Sequence, residues 1–229
     1  MTQLATKNPR FTIIYGLILT AVLFLCFSVG SKVFSILAGP GLSLDTRFII
    51  SRLFFWLCFV IILVYVSKAE RQRLLLWDDE PYSVGYYILS VIVILLIIVF
   101  GSGIIGLTLK RLDLLKFSPT ITLMRNMSTP VKLLGIITAG VLEELIFRGY
   151  MIPRLKLFFK SGHWPVIISS VIFALGHWGY GTAINVLVPL FIGLVFGYHY
   201  YRYRNINILI ICHLLIDLNA MFTPDLIKH

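Results

Sequence analysis

From Ser161 to Tyr201 the chain runs for 41 positions without one Asp, Glu, Lys or Arg. A transmembrane helix needs about 20 mostly apolar residues, so this stretch is long enough for two crossings. Three glycines in Gly176-His177-Trp178-Gly179-Tyr180-Gly181 mark the break between them. Composition agrees: 59% of the residues are hydrophobic and 13% charged, against roughly 25% charged in an ordinary globular domain. A soluble enzyme, a nucleic-acid-binding module and a disordered chain are all excluded by that balance. The net charge of +10 needs no nucleic-acid partner. Basic residues between apolar runs anchor helix ends to lipid headgroups.

The other runs are Phe11 to Ser31, about 48–67, about 81–109, a helix from near Val131 continuing as an amphipathic stretch towards Lys160, and about 205–222. The first is too long for a signal-peptide core and lacks a small-x-small cleavage site, so an uncleaved span is expected. Without water to satisfy the backbone, the spans must be helices. The fold expected is all-α and polytopic, with about seven to eight transmembrane helices. Residues 1–130 read as scaffold helices and 131–229 as the working core, in one integral membrane unit. Residues 110–132 carry five basic residues, Asp113 and two prolines, and read as an extramembrane or interfacial segment. A small excess of Lys and Arg on the N-terminal side (Lys7, Arg10 and Arg154 among them, against Arg52 and Lys228) favours a cytoplasmic N-terminus; the 110–132 cluster opposes it. Cys26, Cys58 and Cys212 fall inside apolar runs and read as small hydrophobes. Trp164, Trp178, Tyr180 and the Tyr198–Tyr203 cluster read as interfacial belt residues, Arg52 as a snorkelling side chain, and His163, His199 and His229 receive no role.

Ionisable side chains inside a membrane cost about 2.5–3.5 kcal/mol each on insertion scales and are functional candidates. Here they cluster late: Glu143, Glu144, Arg148, His177, His213 and Asp217. Counting helix rise from a common face places Glu143, His177 and His213 near mid-membrane on three helices. Glu144 and Arg148 are i,i+4 and suit an ion pair. Glu143 points about 100° away and is left for a different task, that of general base. His213 and Asp217 are i,i+4, as are Phe173 and His177, so the Phe173 ring is expected against the imidazole.

Three motifs in order carry a resemblance. Glu143-Glu144-Leu-Ile-Phe-Arg148 resembles the EExxxR motif of the CPBP (CAAX protease and bacteriocin-processing, or Abi) membrane protease family. Phe173-Ala-Leu-Gly-His177 resembles its FxxxH motif, and His213-Leu-Leu-Ile-Asp217 its HxxxN/D motif. The likeness covers roughly Val131 to Phe222. It implies an intramembrane endopeptidase that hydrolyses a peptide bond of a membrane-associated protein or peptide. Glu143 and His177 would bind and activate the water. His213 and residue 217 would stabilise the oxyanion, with Glu144, Arg148 and Phe173 in support.

Position 217 is Asp rather than the eukaryotic Asn. An ionised carboxylate cannot donate to an oxyanion. Asp217 is therefore expected either protonated or, preferably, accepting from one ring nitrogen of His213 and fixing its tautomer. A metal-free site is expected; the alternative is zinc held by Glu143, His177 and His213. A non-proteolytic immunity or regulatory protein, as in bacteriocin self-immunity, is the competing function, and a transporter a third. The expected partners are membrane lipid and a peptide substrate, the location a bacterial plasma membrane, with no nucleic acid; the oligomeric state is not legible.

Overall fold

The structure, a computed structural model, describes residues 9–37, 41–116 and 118–223. Lys7, Lys228 and His229 lie outside the described residues. The chain is an all-α, polytopic membrane protein. Its long helices are α1 (Pro9–Leu37), α2 (Leu44–Tyr65), α3 (Val84–Arg111), α5 (Thr129–Glu144), α7 (His163–Gly176), α8 (Ile184–Tyr203) and α9 (Ile206–Phe222). Two short ones, α4 (Pro119–Arg125) and α6 (Ile152–Lys156), complete the set. Four segments, Arg10–Phe27, Leu44–Glu70, Val84–Arg111 and Ile184–Tyr203, are long and apolar enough to cross a membrane. The shorter α5, α7 and α9 pack among them, and these three helices carry the late ionisable cluster.

Local chemistry sets the boundaries. Ser43, Ser83, Ser118 and Asn205 each accept from the backbone N–H three residues on, capping α2, α3, α4 and α9. Beyond Glu144 the helix widens into a π-helical stretch, Leu145–Met151. Pro153 follows, and a proline offers no N–H to the carbonyl four residues before it and crowds that carbonyl. Widening of the preceding turns relieves that mismatch. The helix then ends at Lys156, short of the expected 160. Among the described residues of the 110–132 segment lie the end of α3, α4 and the start of α5, and α4 packs against α9 and the Trp178–Tyr180 turn.

One hydrophobic cluster joins the two halves of the chain. Phe24 and Phe27 of α1 and Phe55, Phe59 and Ile62 of α2 pack on Leu142, Ile146, Phe147, Tyr150 and Met151. A second cluster places Ile94 and Ile98 of α3 against Phe196, Tyr200, Leu209 and Cys212. Cys58 and Cys212 are buried as expected, whereas Cys26 is exposed on the outer surface of α1.

Arg154 corrects an expectation. It is not a loop cation but a fully buried one, with a relative exposure of 0%. Its guanidinium pairs with Glu70 at 2.7 Å, donates to the carbonyls of Leu74 and Arg73, and stacks on Tyr150, whose hydroxyl donates to Glu70 at 2.7 Å. Glu70 ends a π-helical turn, Val66–Glu70, that extends α2. Gly16 of α1 makes room: a Cβ there would run into Tyr150 and Glu70. The sequence shows Glu70 beside Lys68 and Arg71, a pattern indistinguishable from a solvated loop.

Candidate active site

Glu143 and Glu144 end α5, in the middle of the helical run 129–156. Glu144 is fully buried and serves two partners through one oxygen. Arg148 donates to Oε1 at 2.8 Å, and His213 Nδ1 lies 2.7 Å from the same atom. The Arg148 guanidinium sits 4.7 Å from the Phe173 ring and 5.2 Å from the Phe196 ring, so aromatic faces supply the rest of its environment.

His213 is buried on α9. Its second nitrogen, Nε2, faces two carboxylates, Asp217 Oδ2 at 3.7 Å and Glu143 Oε2 at 3.9 Å. Both distances exceed hydrogen-bonding range. This overturns the preferred expectation for Asp217: the carboxylate that orients His213 is Glu144, from a different helix. An i,i+4 pair shares a helix face, but the short Asp side chain does not close the gap, whereas Glu144 reaches Nδ1 directly.

His177 stands at the C-terminal end of α7, which has 14 residues and so spans only about 21 Å. The imidazole is therefore held where the helix stops, short of the end of the bundle from which the 20-residue α8 starts. Nδ1–H donates to the Phe173 carbonyl at 2.9 Å. That bond leaves Nε2 of the neutral ring as the acceptor. The Phe173 ring lies 4.8 Å from the His177 ring, tilted rather than flat beneath it, and meets His213 edge-on at 6.3 Å.

Glu143, His177, His213 and Asp217 line one cavity of about 390 Å³, with Phe173 in its wall. Glu144 and Arg148 stand behind it. The cavity continues past Ile136, Met124 and Met221 towards the end of the bundle that bears α4.

Two residues of this cavity were not anticipated. Arg52 does not snorkel to a helix end. It turns inward to the cavity, its guanidinium 4.6 Å from the Phe48 ring and 5.0 Å from the Phe27 ring, within electrostatic reach of Glu143 and Asp217. Its Nε is buried without a hydrogen-bond partner. Tyr180 is not a belt residue: it lines the same cavity, its ring 5.6 Å from His177. Tyr200 also departs from the belt and is fully buried against Trp77. Trp164 and Trp178 are exposed, in keeping with a belt position.

The zinc alternative requires Glu143, His177 and His213 around one ion. Among the described residues no group of three His, Cys, Asp or Glu side chains is disposed to hold a metal. Nδ1 of His177 is directed to a carbonyl and Nδ1 of His213 to Glu144, which leaves each ring one nitrogen, Nε2.

Residues 125–219 match a family model described as Rce1-like, type II CAAX prenyl endopeptidase. No match was found among curated proteins or among solved structures. The matched segment contains all three motifs and every acid and imidazole of the cavity, while Arg52 lies outside it. Over residues 125–219, then, this membrane protein is similar to the Rce1-like type II CAAX prenyl endopeptidases.

Proposed function

We propose that the protein is an intramembrane endopeptidase that hydrolyses a peptide bond with a water held between Glu143 and His177. One observation carries the reading: Glu143, His177, His213 and Asp217, from α5, α7 and α9, line a single cavity lying among apolar helices. Expensive polar groups converge where lipid-facing helices would otherwise supply only aliphatic side chains.

The roles follow from the hydrogen-bond directions. His177 Nε2 and a Glu143 oxygen both accept, so a water donating to both has its lone pairs turned to the cavity. Glu143 takes the proton as the water oxygen attacks the scissile carbonyl, and returns it to the leaving nitrogen. His213 gives its Nδ1–H to Glu144 and, carrying a proton on Nε2, donates to the developing oxyanion. Arg148 fixes the Glu144 carboxylate in place, which keeps His213 in that orientation. Asp217 and Glu143 flank Nε2 on the cavity side, at 3.7 and 3.9 Å. The substrate is an extended, membrane-proximal peptide, since the loops between the described helices are too short to form a domain that would grip a folded partner.

The test is hydrolysis of a membrane-anchored peptide library by purified protein in lipid. Glu143→Gln should lower kcat by about 100-fold or more at unchanged membrane abundance, the scale of a lost general base. Activity should persist in chelator, with metal content well below one ion per chain. Full hydrolytic activity of Glu143→Gln would remove Glu143 from the base role, and no hydrolysis by the wild type would leave a binding or regulatory role instead.

A further inference from the structure

A second polar cavity lies at the opposite end of the bundle from α4, where α6 and α8 end and α3 and α9 begin. We infer that it binds the phosphate of an anionic phospholipid, whose acyl chains run down the outer face of α3. Nothing in the peptidase reading uses this cavity, and the matched family segment supplies only part of its wall.

Three cations, Lys156, Arg202 and Arg204, line it against one carboxylate, Glu80. The formal balance is two positive charges in excess, and two more acids nearby are already engaged: Asp79 accepts from Ile206 N–H and Asn207, and Asp78 pairs with Arg73. The cations are placed by backbone features. Lys156 Nζ is held at the end of α6 by the carbonyls of Phe159 and Lys160. Arg204 adopts a left-handed backbone at φ 46°, and its guanidinium lies 5.2 Å from the Trp77 ring. A non-glycine residue in that region is uncommon, and here it turns the chain from α8 to α9 with the cation directed over the ring.

The rim is built rather than loose. Glu80 N–H donates to the Arg204 carbonyl at 2.9 Å, Asn205 returns a bond to the Glu80 carbonyl at 3.0 Å, and the Tyr82 hydroxyl donates to the Tyr203 carbonyl at 3.1 Å. These bonds stitch the segment before α3 to the α8–α9 turn, so the cations face a fixed cavity.

The aromatic lining decides between a lipid and a soluble phosphate. Trp77, Tyr82 and Tyr201 bring amphipathic rings to the level of the helix ends, where the headgroups of a bilayer lie. Directly beyond Tyr82, Val84, Ile88 and Ile92 repeat every four residues along α3 and are 76%, 57% and 49% exposed. That apolar stripe begins at the rim and leads away from it along the membrane normal. A free phosphate would gain nothing from the stripe, whereas an acyl chain covers it.

The experiment uses the full chain in nanodiscs of phosphatidylcholine containing phosphatidylglycerol, then mild detergent exchange and native mass spectrometry of retained lipid. The variant is Arg202→Gln/Arg204→Asn, two exposed residues, with Asn chosen because it tolerates the left-handed backbone. Wild type should retain phosphatidylglycerol over phosphatidylcholine, and the double variant should bind it about 10- to 30-fold more weakly, as expected for two cations lost at a membrane surface. Thermal unfolding of the variant in phosphatidylcholine alone should match wild type. Equal retention of phosphatidylglycerol by variant and wild type overturns the site. Displacement of the lipid by inorganic phosphate at the same concentration overturns the lipid assignment. Peptidase activity enters neither outcome.

Discussion

Glu144 Oε1 receives both Arg148 and His213, so changing that one carboxylate breaks two bonds at once. Glu144→Gln should leave the Arg148 charge uncompensated among aromatic rings and destabilise the protein by about 3–5 kcal/mol, read by thermal unfolding in detergent. Asp217→Asn removes no hydrogen bond to His213 and should be milder in both stability and activity. The reverse ranking would return the orienting role to Asp217. Arg52→Gln should reduce kcat/KM while leaving the helix packing intact, because its guanidinium reaches into the cavity beside Phe48. The Glu144–Arg148 pair was legible in the sequence because helical periodicity alone brings i and i+4 together. The Glu144–His213 bond and the inward turn of Arg52 were not: each is fixed by which helices become neighbours, α5 with α9 and α2 with α5. No local pattern encodes that choice.

Among the elements, α5 and α9 approach closely at Gly140, where a Cβ would come within 2.8 Å of Leu214. Gly140→Ala should push Leu214 aside at a cost of about 1–3 kcal/mol and widen the gap between Glu143 and His213. The expected result is a lower melting temperature together with a lower kcat. At the far end, α2 and α6 are joined by the buried Glu70–Arg154 pair. Arg154→Met should strand the Glu70 charge and cost about 3–5 kcal/mol, and the double variant Glu70→Gln/Arg154→Met should recover most of it. If the double variant is no more stable than the single one, the carbonyl bonds of Arg154 rather than its charge hold this junction. The apolar runs announced α1, α2, α3 and α8 because length and hydropathy suffice there. They did not announce the π-helical stretch at 145–151 or the early end of the helix at Lys156, which follow from Pro153 and from the packing around it.

The whole molecule does not divide where its motifs do. Phe24, Phe27, Phe55 and Phe59 complete the packing around Leu142, Ile146 and Phe147, so the segment carrying the site rests on helices outside it. Residues 131–229 expressed alone should fail to give a protease-resistant species in detergent, and co-expression with 1–130 should restore one; a stable isolated fragment would show the first two helices to be dispensable. Finally, α7 has 14 residues against the 20 of α8 and stops at His177, and the cavity beside it extends to Met124 of α4. If the chain is the peptidase proposed above, the two leaflets become unequal: a polypeptide tethered beside α4 has the shorter route to the imidazole, and one tethered opposite faces the buried Arg154 junction. Cleavage of matched peptides anchored in one leaflet or the other would then differ.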